Sequence, residues 1–113
     1  MYNGGAMAEG GVAGIMRVDF DYIAEGVTYR AVAEDADKSW GKCISIRTFD
    51  AGGGTRDRIS FSCHPEFDGF EEMQGKTPEE FAAIAIDRLN AGEFAEALES
   101  ARRTGIELLV RFN

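Results

Sequence analysis

One histidine, two cysteines and two prolines are all that 113 residues carry of these types, and each scarcity closes off a class of function. With His64 alone, transition-metal sites lack their commonest ligand. Two cysteines are too few to staple a chain of this length as a disulfide scaffold. No run approaches the about 20 apolar residues of a membrane span. The N-terminus also lacks the basic and then apolar pattern of a secretory signal, so the expected location is cytoplasmic. Positive charge is short as well: 12 Lys and Arg stand against 20 Asp and Glu, a net charge of −8. Nucleic-acid binding needs a basic footprint to displace phosphate counterions, and an anionic membrane repels an acidic surface. Neither is expected as a partner.

What the chain does have is apolar content, 44% of residues, including eight phenylalanines, three tyrosines and one tryptophan. That supports one domain with a modest core. Residues 1–15, "MYNGGAMAEGGVAGI", show no helical or strand period and read as a flexible Gly/Ala-rich leader ahead of a single domain at 16–113. From Met16 the pattern is regular. Met16, Val18, Phe20 and Tyr22 alternate with Arg17, Asp19 and Asp21, the period of a half-buried strand. "VTYRAVA" follows as a second strand. A two-residue Glu25-Gly26 turn between them sets Tyr22 opposite Tyr29, Phe20 opposite Ala31 and Asp21 opposite Arg30. "EDADKSWG" reads as a polar connection. Its carboxylates are spaced as in a calcium loop, but Trp40 and Ile46 occupy the positions that need glycine and glutamate, so no calcium site is expected.

Strands "KCISIRTF" and "RISFSCH" flank "DAGGGTRD". The glycines are followed by another strand and by neither a helix start nor a P-loop lysine, which makes this a hairpin loop and not a phosphate cradle. If Ile44 and Ile46 face inward with Ile59, Phe61 and Cys63, residue numbers of cross-strand partners have an odd sum. Cys43 and Cys63 then point to opposite faces, so neither a disulfide nor a shared metal between them is expected. Beyond Pro65, "PEFDGFEEM" suggests one short irregular turn or helix. "TPEEF" marks a firm helix start: Thr77 as N-cap, Pro78 at the first helical position and Glu80 completing a capping box. This helix runs to about Asn90 with Phe81, Ile84, Ala85 and Leu89 on one face. A second, about Glu93 to Arg103, turns Phe94, Leu98 and Ala101 inward and ends at Gly105. "IELLVRF" closes the chain as a strand with Ile106, Leu108, Val110 and Phe112 inward.

The fold class is therefore α+β: a four-stranded antiparallel meander, two helices packed on one face, and a C-terminal strand rejoining the sheet. Strands before helices argue against a doubly wound parallel sheet and its nucleotide crevice. No stretch carries a signature that would assign a family. Cys43 and His64 fall on the more polar face of the second hairpin, but a thiol nucleophile also needs an orienting acid and an oxyanion-binding element. The sequence supplies neither, so no catalytic residue, metal ligand or cofactor is expected. The carboxylates Glu66, Asp68, Glu71, Glu72, Glu79 and Glu80 spread along a loop and a helix start and read as solvated surface. Arg47 and Arg58, with Phe49, His64 and Cys43, form the candidate ligand-binding face, a basic and aromatic patch in an otherwise acidic protein. The first functional expectation is a small acidic binding or interaction module without catalysis that pairs as a homodimer, because the C-terminal strand is apolar on nearly both faces. The alternative is a small-ligand-binding protein or modest enzyme with a pocket between sheet and helices lined by Phe20, Tyr22, Tyr29 and Phe81. A third is an acidic inhibitor of a basic partner protein, resting on net charge alone.

Overall fold

The computed structural model describes residues 16–38, 41–63 and 75–111. The leader at 1–15, Trp40, the segment 64–74 with its expected turn or helix, and Phe112 lie outside the described residues. Strands β1 (Arg17–Ala24), β2 (Val27–Lys38), β3 (Gly41–Phe49) and β4 (Thr55–Cys63) are followed by helices α1 (Pro78–Asn90) and α2 (Ala95–Thr104) and by strand β5 (Leu108–Arg111). The strands lie in the sheet in chain order. β1 to β4 are antiparallel neighbours, and β5 runs parallel to β4. A parallel return needs a crossover connection, and the two helices are carried on it. This is the α+β arrangement expected from the alternation of the sequence.

Local chemistry accounts for the first hairpin. Glu25 (φ 52°) and Gly26 (φ 79°) both adopt left-handed backbone, the pair of conformations that joins two right-twisted strands through two residues. The register follows as expected, with Tyr22 opposite Tyr29, Phe20 opposite Ala31 and Asp21 opposite Arg30. β2 departs from expectation by continuing through the polar stretch to Lys38. Its acidic residues are used within the ladder. Glu34 receives Arg17 and Arg47, each at 3.4 Å. Asp35 ties to Met16 twice: its backbone N–H donates to the Met16 carbonyl at 3.3 Å, and its carboxylate accepts the Met16 N–H. The second hairpin loop is closed by Asp50, whose carboxylate accepts the N–H groups of Gly52 and Gly54 at 3.0 Å each.

Both helices cover one face of the sheet. Phe81, Ala82, Ala85 and Leu89 of α1 and Leu98 of α2 meet Ile44, Ile46, Ile59 and Phe61 in a single buried cluster, where each large side chain contributes about 2 kcal/mol. Phe94 adds an edge-on contact to Phe61 at 5.4 Å between ring centroids. The capping box forms as read: the Thr77 hydroxyl accepts the Glu80 N–H at 3.1 Å, and the Glu80 carboxylate accepts the Thr77 N–H at 2.8 Å. Ile106 is a correction, because it is 64% exposed where an inward position was expected. Its N–H caps the Ala101 carbonyl at 3.1 Å beyond left-handed Gly105, so the strand starts only at Leu108. Leu108 and Val110 then turn toward the core, and Leu109 is 73% exposed.

Candidate functional site

On the helix-covered face, the apolar rows of β3 and β4 end in a polar pair. Thr48 stands opposite Asp57, both buried, and the Thr48 hydroxyl donates to Asp57 Oδ2 at 2.8 Å. The register then slips between Thr48 and Phe49: Phe49 pairs with Thr55, leaving Arg56 as the extra residue of a β-bulge. Successive strand residues normally point to opposite faces, and a bulge suspends that alternation. Arg56 and Asp57 therefore reach each other, with Arg56 Nη1 3.0 Å from Asp57 Oδ2. From above, Arg102 of α2 donates through Nε to Asp57 Oδ1 at 2.9 Å. The Arg56 guanidinium lies 4.2 Å over the Tyr29 ring, which stacks on Tyr22.

Two clefts open on either side of this cluster. The smaller, about 310 Å³, lies between α2 and the first half of β4 and is lined by Arg56, Arg58, Leu98, Ala101, Arg102 and Ile106 among others. The larger, about 480 Å³, runs from Tyr22 and Tyr29 to the end of α1 and the start of α2. Arg56 and Arg102 line both.

The electrostatics suit holding a ligand better than moving a proton. Asp57, its side chain 1% exposed, already accepts from one hydroxyl and two guanidinium groups, so three of its roughly four lone-pair positions are engaged. Burial, and then the Asp57 carboxylate, push the Tyr22 phenol above its ordinary value against the opposing pull of Arg56 and Arg102. A phenol so raised stays protonated at neutral pH and is neither base nor nucleophile. Among the described residues, no three His, Cys, Asp or Glu side chains converge to hold a metal ion.

The face singled out from sequence is on the other side of the sheet. Arg47 and Arg58 are direct cross-strand partners, and the Arg47 guanidinium lies 5.5 Å from the centre of the Phe49 ring. Arg47 is also paired with Glu34, which reduces the positive charge of that patch. Cys43 stands opposite Ser62 in the register but is buried, 1% exposed, rather than displayed on an open face. Cys63 occupies the register position opposite Lys42, so the two cysteines belong to alternate sets along the strands, as their parity required. His64 lies outside the described residues. Of the aromatics expected around a pocket, Tyr22 and Tyr29 do line the larger cleft, whereas Phe81 is sealed in the core and Phe20 packs against it.

Sequence reasoning did not pick out Asp57, Arg56 or Arg102. One signal was available for the first: the register that pairs Ile44 with Phe61 and Ile46 with Ile59 also pairs Thr48 with Asp57, a polar couple on an apolar face. No family model, curated protein or solved structure matches this chain.

Proposed function

We propose that the protein is a small binding module without catalytic chemistry that works as a homodimer joined through β5. The observation carrying this reading is the exposure of Leu109, 73%, on a strand at the margin of the sheet. Such a strand offers unpaired backbone groups and an apolar side chain to a second strand. The opposite margin is occupied. On β1, the Asn90 side-chain amide accepts the Ile23 N–H and donates to the Asp21 carbonyl, both at 3.1 Å.

A second copy also suits β5 in charge. Antiparallel pairing about a two-fold axis at Leu109 sets the two Leu109 side chains against each other. It places Glu107 opposite the partner's Arg111, and Arg111 opposite the partner's Glu107. Isologous contacts of this kind are the commonest route to a closed dimer. A reading without catalysis is supported by the engagement of Asp57 with Thr48, Arg56 and Arg102, the raised Tyr22 phenol and the burial of Cys43.

Light scattering at micromolar concentration tests the assembly. A dimeric mass that falls to the monomer in Leu109→Lys, with unchanged circular dichroism, is the expected result. A monomeric mass for the unaltered chain overturns the reading.

A further inference from the structure

We infer that the cleft between α2 and the first half of β4 binds a small oxyanion, a carboxylate or phosphate group, through Arg102 and Arg56. This inference is independent of the dimer. Among the described residues β5 pairs with β4 along Ile59–Ser62, so Thr55 to Arg58 lie before the start of that pairing, and the space beside them is the cleft of about 310 Å³. That volume sits at the lower end of the range for small-molecule sites.

Charge selects the class of ligand. In a chain of net charge −8, this cleft is lined by three arginines and a single acid, Asp57. Asp57 is buried and bound on both oxygens, which leaves a local surplus of positive charge. A clamp tying helix to sheet needs one arginine, and Arg56 beside it exceeds what Asp57 can neutralise.

Geometry provides the donors. Asp57 engages Arg102 through Nε alone. The two terminal nitrogens of Arg102 make no hydrogen bond within the described residues. A guanidinium presents its N–H groups as a rigid fork that matches the two oxygens of a carboxylate or phosphate. Here the fork is already oriented by a buried carboxylate, and the neighbouring Arg56 by that carboxylate and the Tyr29 ring. Binding therefore loses little side-chain entropy. Leu98, Ala101 and Ile106 complete the wall and admit a short apolar group attached to the anion.

The test is a titration followed by NMR of backbone amides and Arg Nε–H groups, with inorganic phosphate in one arm and butyrate in the other, at constant ionic strength. Saturable shifts confined to Thr55–Arg58 and Arg102 are the expected result. Saturation by phosphate alone assigns a phosphorylated ligand, and saturation by butyrate alone a carboxylic acid with an apolar tail. Arg56→Gln, which keeps the Arg102 contact to Asp57, should weaken binding about tenfold, and Arg102→Gln by at least as much. If Arg102→Gln fails to fold, Arg56→Gln decides. Shifts that rise linearly without saturating in both arms, or an affinity unchanged in Arg56→Gln, overturn the inference.

Discussion

Arg102 and Asp57, 45 residues apart in sequence, meet at 2.9 Å between Nε and Oδ1, and this contact fastens α2 to the sheet beside the register shift at the hairpin end of the β3–β4 pairing. The bulge makes the arrangement possible. Without it Arg56 would turn to the opposite face, and Asp57 would have one arginine instead of two.

Removing the Asp57 carboxylate should therefore cost more than removing either neighbour. Asp57→Ala leaves Arg56 and Arg102 crowded without a counter-charge and is expected to lower stability by about 3 kcal/mol, tempered by the partial exposure of both arginines. Thr48→Val keeps the shape and loses one hydroxyl, at a cost of about 1 kcal/mol. Urea unfolding followed by fluorescence or circular dichroism checks the order, and a larger loss in Thr48→Val would contradict it.

Asn90 mimics a neighbouring strand along β1 by answering one N–H and one carbonyl. Asn90→Ala uncovers those groups beside Ile23 and Val27, which are already 55% and 48% exposed. The expected outcome is a small loss of stability, about 1 kcal/mol, with a marked gain in association beyond the dimer. Sedimentation velocity at several concentrations reads this directly, and an unchanged distribution would remove Asn90 from that role.

Tyr22 and Glu80 set opposite pH limits. The Tyr22 phenol is raised above 10.0 when folded. Above the unfolded value the unfolded chain loses that proton first, so the contribution is full below about pH 10 and fades as pH rises through the folded value. Glu80 is lowered from 4.5, chiefly by the Thr77 backbone N–H. Its contribution is full above about pH 4.5 and is lost as pH falls through the depressed folded value. Melting curves across pH should show that Tyr22→Phe flattens the alkaline limb and Glu80→Gln the acid limb. Either variant leaving its own limb unchanged would contradict the assignment.

The first hairpin was legible residue by residue, because alternation, a Glu-Gly turn and charge pairing all depend on neighbours a few positions apart. The same holds for the capping box of Thr77 and Glu80. The polar end of β2 carries no strand signal in sequence, since Glu34 and Asp35 satisfy their charges only across strands and on the Met16 backbone. Ile106 fits the alternation of a strand, but the helix cap that uses its N–H holds it outside the core.

By itself the sequence determined the class of fold, the pairing of the meander, the separation of Cys43 from Cys63 and the start of α1, since each follows from short-range period and stereochemistry. Only the tertiary structure decided where positive charge gathers. One extra residue in β4 and the docking of α2 bring Arg56, Asp57 and Arg102 together, and no local pattern in a strand encodes which helix will lie above it.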